Sequence, residues 1–155
     1  MLVAANMAGN EKLPLLVIRK SKMPWALKNK NIPLPYKANK KAWMTAEFFL
    51  IWLRELDAKL SGQGRKIAMI IDNCPAHPKL DDFQAMDLIL LPPNCTSVLQ
   101  PCEQGIIKNL KHHYRKNIVK CKILHIEGQM RGIDVDKNFA VDEYQALCLF
   151  KNSLE

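Results

Sequence analysis

The chain opens with two short apolar runs, Leu2 to Ala8 and Leu13 to Ile18, separated by Gly9-Asn10-Glu11-Lys12. Gly and Asn supply turn conformations, so this pattern predicts a hairpin. Lys20 to Lys41 follows without a clean period, mixing Pro24, Pro33 and Pro35 with many lysines, and reads as a basic loop. Thr45 is then a helix N-cap, with Glu47 near the positive helix end. Phe48, Phe49, Trp52, Leu53, Leu56 and Leu60 recur at spacings of three and four, the signature of an amphipathic helix. Core packing is the default use of such a stripe, and Ser61-Gly62-Gln63-Gly64 ends the helix.

Lys66 to Asp72 is a continuous apolar run ending in a carboxylate, and Met86 to Leu91 is a second run closed by Pro92-Pro93. Runs of this kind are expected where a sheet is covered on both faces. A further helix begins near residue 104, with Ile107, Leu110, Tyr114, Ile118 and Cys121 along one side. Lys108, Lys111, His112, Arg115 and Lys116 lie largely round the other. Val141 to Leu154 has the pattern of one more helix. The alternation of helices and strands defines an α/β chain.

The 155 residues are 48% apolar and 25% charged, which suits one globular domain of ordinary size. Ala46 to Leu53, the longest mostly apolar stretch, is far short of the ~20 residues of a membrane span. The first twelve residues lack a positive region ahead of their apolar ones, so no secretory signal is expected. Five cysteines (Cys74, Cys95, Cys102, Cys121 and Cys148) include no CxxC pair. Incidental thiols in a reducing compartment are the natural reading.

The net charge of +8 is unevenly spread. Residues 1–42 carry nine Lys/Arg and one acid, residues 43–103 five and eight, and residues 104–122 six and none. Two basic segments therefore flank an acidic middle. A polyanion such as nucleic acid explains that distribution, and a merely solvated surface is the alternative.

Reactive groups in α/β sheets gather beyond the carboxyl ends of strands. Asp72 ends its apolar run there, and Pro75 and Pro78 rule out an immediate helix after it. A carboxylate in that position pairs, binds a cation, or caps the following turn. Glu103 is the second candidate, where the dipole of the coming helix favours a negative side chain whether or not it has a chemical role. Two hard oxygen donors on separate elements can clamp magnesium, and paired ions can cleave phosphodiesters, a chemistry that normally needs more than two carboxylates. His77 can meet a phosphate or the Asp72 carboxylate, or simply fix its loop. His112 and His113 read as helix-face residues, and His125 has no evident partner. No Ser/His/Asp or Cys/His arrangement stands out, and Gly62-x-Gly64 is too slight for a phosphate loop.

Longer motifs say more. IIDNCPAHP (Ile70 to Pro78) and LPPNCTSVLQPCEQGIIKNLKHHYR (Leu91 to Arg115) closely resemble the DDE transposase domain of the pogo/Tigger/jerky group. KANKKAWMT (Lys37 to Thr45) resembles the segment before that family's first helix, and Leu2 to Pro24 its second and third strands. The resemblance is collinear over most of residues 1–122.

It implies a ribonuclease H-like α/β fold, a mixed sheet flanked by helices, with a carboxylate triad holding two Mg2+ (or Mn2+) ions. In such enzymes the ions activate water and then a DNA 3′-hydroxyl. Asp72 matches the second triad carboxylate, in a motif that includes Asn73 and His77. Glu103 matches the third, usually Asp in this family, between Gln100 and Gln104. The family's first carboxylate lies on a central strand upstream of the segment matched by Leu2, and no acid precedes Glu11. The expectation is a partial endonuclease domain over residues 1–122 lacking that strand, with 123–155 its helical remainder. Leu2 to Ala8 and Lys66 to Ile71 would then pair directly or each leave an edge open. The expected protein is nuclear and binds DNA through Lys108, Lys111, Arg115 and Lys116, without completing catalysis. The alternative is an active magnesium-dependent endonuclease completed by other residues or another chain. A homo-oligomer or partner chain completing the sheet also fits, and no membrane association is expected.

Overall fold

The computed structural model describes residues 1–74, 77, 80, 82–133 and 139–153. The chain divides into two compact units, Met1–Ala42 with Ile106–Glu155, and Trp43–Gly105.

In the first unit the expected hairpin forms. Leu2 pairs antiparallel with Leu16 and Ala5 with Lys12, and Gly9 turns the chain at a φ of 72° that suits glycine. The strand β1 (Val17–Arg19) continues from the hairpin. The stretch expected as a basic loop departs from that reading. It contains a 3₁₀ turn at Trp25–Leu27 and a strand, β2 (Tyr36–Ala38), parallel to β1. Its irregular sequence hid this because a three-residue strand is too short to show a period, and Val17 bonds the carbonyl of Pro35, which needs no donor from proline.

Two helices complete the unit, α3 (Ile107–Met130) and α4 (Glu143–Asn152). Asp142 and Gln145 form a reciprocal capping box that starts α4. The α3 and α4 helices pack through Tyr114 and Phe150, stacked with ring centroids 3.9 Å apart. Leu15, Val17, Leu27, Leu34, Leu110 and Leu147 make the buried core, with Tyr36 and Tyr144 packed against it. The boundary expected at residue 122 falls inside α3, which runs unbroken through it. His125, expected to lack a partner, meets Gln129 at 3.3 Å and the edge of Phe139.

In the second unit α1 (Ala46–Gly62) forms as its stripe predicts. Thr45 caps it by accepting from the Phe48 N–H, and Phe49, Leu53, Leu56 and Leu60 are buried. Gly64 reverses the chain at a φ of 65° into β3 (Ile67–Ile71), parallel and in register with β4 (Met86–Leu90). Both apolar runs are therefore strands. They are not covered on both faces, however, for Ile70 and its register partner Ile89 are 49% and 48% exposed. Alternating burial of this kind marks a sheet with one open face. Among the described residues β3 and β4 pair with no other strand, so the edges of this pair are open.

The turn-rich segment after β4 also carries unforeseen helix. The α2 turn (Thr96–Leu99) and a π-helical turn (Cys102–Ile106) lead into α3. The chain as a whole is mixed α/β, as expected.

Candidate functional site

Asp72 stands one residue past the carboxyl end of β3, placed there by the in-register pairing with β4. Its Oδ1 lies 2.8 Å from His77 Nδ1, and its backbone oxygen lies 3.0 Å from the same nitrogen. Both are acceptors, so Nδ1 carries the proton and donates to them. The His77 backbone N–H donates to Cys74 O at 2.8 Å, and its ring packs on Phe49 of α1 with centroids 4.1 Å apart. The His77 side chain is 13% exposed and that of Asp72 30%, so the pair is half-shielded from water. Pro75, Ala76 and Pro78 lie outside the described residues, and with them the expectation that these prolines exclude a helix.

Glu103 sits in the π-helical turn, exposed, with its N–H donating to Gln100 O at 3.0 Å. Gln104 also bonds the Gln100 carbonyl through its N–H, and its side-chain amide donates to Val98 O. Gln100 and Gln104 thus shape the turn carrying Glu103. Burial, and then the adjacent Glu103 charge, push the Cys102 thiol above its ordinary pKa. Asn73 is exposed beside Asp72. Asp72 is joined to His77, while Glu103 is joined to its own turn.

The donor chemistry suits a hard divalent cation in kind but not in number. Among the described residues, no three His, Cys, Asp or Glu side chains are grouped to hold a metal ion. Magnesium needs few protein ligands, but a two-ion site needs bridging carboxylates, and one Asp72 oxygen already accepts from His77.

Asp57 escaped the sequence reading. From α1 its two carboxylate oxygens accept the backbone N–H groups of Gln84 and Ala85, at 3.2 and 2.8 Å. That clamp fixes the start of β4, and so the register that sets Asp72. Its only sequence signal is an acid on the rim of an amphipathic helix. Beside it, Arg54 pairs with Asp82 at 3.3 Å along a depression of about 470 Å³ that Asp72 and Glu103 do not line.

In the first unit, Lys108, Lys111, His112, Arg115 and Lys116 are all exposed on α3. Leu110 is buried, and Ile107, Tyr114, Ile118 and Cys121 are half-buried. The expected division of this helix into an apolar and a cationic side is present residue by residue.

These features belong to a known class. The chain belongs to the DDE superfamily endonucleases, whose family model matches residues 1–147. It is 39% identical over 127 residues to Tigger transposable element-derived protein 4 of Mus musculus, covering 81% of this chain and 25% of that one. It is 34% identical over 131 residues to ARS-binding protein 1 of Schizosaccharomyces pombe, covering 76% and 25%. It is 31% identical over 130 residues to major centromere autoantigen B of Homo sapiens, covering 83% and 21%. A human jerky protein homolog also matches, so the pogo/Tigger/jerky resemblance stands. The chain spans about a quarter of the length of these relatives. No solved structure matches it.

Proposed function

We propose that this chain is a transposase-derived, ribonuclease H-like DDE domain that acts in the nucleus as a DNA-binding element and does not complete DNA cleavage by itself. The observation that carries the reading is the cationic side of α3. Lys108, Lys111, Arg115 and Lys116 are exposed along a stretch, residues 104–122, that contains no acid. Cations so placed contact phosphates and give sequence-independent, salt-sensitive affinity. One relative is named as an ARS-binding protein, which supports the same reading. The double variant Lys111→Glu/Arg115→Glu is expected to weaken duplex binding and flatten its salt dependence by about two units of slope, one per lost phosphate contact. Unchanged affinity would remove α3 as the contact surface.

Catalytic incompleteness rests on the donor set. Asp72 and Glu103 match two carboxylates of the family triad, and among the described residues no three His, Cys, Asp or Glu side chains are grouped to hold a metal ion. A divalent ion, where bound, would polarise water and phosphate oxygens. This chain's residues supply Asp72 as a hard ligand, His77 to orient it, and Asn73, Gln100 and Gln104 to hold the loops.

A second reading, an active endonuclease completed by residues or a chain beyond those described, is favoured by the orientation of Asp72. Its carboxylate is held by a histidine N–H at a strand end, as a metal-ligating carboxylate commonly is. Magnesium-dependent nicking of supercoiled DNA that disappears in Asp72→Ala decides for this reading. Absence of cleavage with either magnesium or manganese decides for the first. The β3 and β4 edges, unpaired with any other strand among the described residues, offer the place for a completing strand from a partner chain or a second copy.

A further inference from the structure

Residues 12–46 hold nine Lys/Arg and no acid. Two of these cations are matched by acids at the start of α4, Arg19 with Glu143 at 2.7 Å and Lys30 with Asp142 at 3.7 Å. Lys20, Lys22 and Lys28 are exposed, and no ion pair involves them among the described residues. Among these three lysines stands Trp25, 90% exposed.

The turn that displays Trp25 is firmly built. Pro24 leads into it, Leu27 N–H donates to Pro24 O at 2.9 Å, and Lys28 N–H donates to Trp25 O at 3.1 Å. Leu27, 1% exposed, plugs the turn into the core of its unit, and α4 packs against it. The Tyr36 hydroxyl ties the approach by donating to Ser21 O at 2.7 Å. Leu27 supplies the buried core contact of this turn, and the indole two residues earlier faces water and adds nothing to that core.

A lysine cluster without an aromatic recognises phosphate only, and an exposed aromatic without charge suits an apolar partner. The two together, exposed along one short segment of the chain, match a polyanion that also offers flat π-faces. We infer that Trp25, with Lys20, Lys22 and Lys28, forms a second nucleic-acid site that stacks an unpaired base and holds the neighbouring phosphates. Its ligand is single-stranded DNA or the frayed single-stranded end of a duplex. Bases inside a blunt duplex are already stacked and do not present a free face. The inference rests on the DNA-binding reading above and extends it to a different element.

The test measures binding of the whole chain to three labelled DNAs: a mixed-sequence single-stranded 12-mer (about the span one such module covers), a blunt duplex, and the same duplex with a short single-stranded tail. Trp25→Ala is expected to lose roughly five- to 150-fold on the single strand and the tailed duplex, the range for one stacked base. Its blunt-duplex affinity and salt slope should stay as in the parent. Trp25→Phe should keep most of the single-strand affinity. Lys22→Ala/Lys28→Ala should flatten the single-strand salt slope by about 1.4, at roughly 0.7 per phosphate contact. Unchanged single-strand affinity in Trp25→Ala, with unfolding in urea like the parent, overturns the inference. So does an equal loss on the blunt duplex, or a polyglutamate peptide that competes as well as the oligonucleotide. Failure of the α3 reading shows instead as unchanged duplex affinity in Lys111→Glu/Arg115→Glu, a different variant on a different ligand.

Discussion

Asp57 receives two backbone N–H groups, and one of them belongs to Ala85, which is buried. Truncating the carboxylate leaves a buried donor without an acceptor, at a cost of about 1–3 kcal/mol. Asp57→Ala should lower the free energy of urea unfolding by that amount. Asp57→Asn, which keeps one acceptor oxygen, should lose less. Glu103 acts on a neighbour through charge, helping to hold the Cys102 thiol in its protonated form. A thiol whose pKa is raised is a weaker nucleophile at neutral pH and gains reactivity only as pH climbs through its elevated value. Glu103→Gln removes the smaller of the two causes. Alkylation of Cys102 near pH 8 should accordingly be faster in this variant than in the parent, read by mass spectrometry of the labelled peptide.

At the scale of the element, α1 and α3 use the same periodicity for different ends. One face of α1 is fully occupied, with Leu53 and Phe49 essentially without solvent contact. Leu53→Ala should therefore cost about 2–5 kcal/mol, the usual range for a buried leucine, and Thr45→Ala about 1 kcal/mol through loss of its cap. The α3 helix packs its first half, whereas Val119, Ile123, Ile126 and Met130 further along are exposed at spacings of four, three and four. A substitution such as Ile123→Gln should change stability by no more than about 0.5 kcal/mol, as surface changes do. A larger loss in denaturant titration would mean that this stripe is covered in solution.

At the scale of the molecule, the described strands form two separate two-stranded sheets, one of them only three residues long. Two-stranded ribbons contribute little stability unless something packs on them, and the Ile70–Ile89 face is open. The isolated chain should accordingly unfold below roughly 60 °C, within or under the usual mesophile range. Cooperative unfolding of monomeric protein above that temperature would contradict this. The open face and edges also predict a tendency to self-associate. Light scattering on heating should report it, and a charge at Ile70 (Ile70→Lys) should reduce it.

Local rules determined much of this protein directly. Thr45 and the stripe from Phe49 to Leu60 specify α1, because capping and a 3.6-residue period act over a single helix. Gly9 with Asn10 placed the hairpin, and the charge pattern of residues 107–121 placed the two sides of α3. The DNC and CEQ motifs single out Asp72 and Glu103. Tertiary structure alone decided that Lys20 to Lys41 contains a strand, since three residues show no period and β2 exists only beside β1. It alone made Asp57 a clamp on β4 and left Ile70 facing water, whereas the Asp72–His77 pair, five residues apart, was already among the partners the sequence offered. Each of those tertiary outcomes depends on what a distant segment places opposite a residue. Pairing, burial and shared hydrogen bonds are relations between segments, and no local pattern of side chains encodes its own partner.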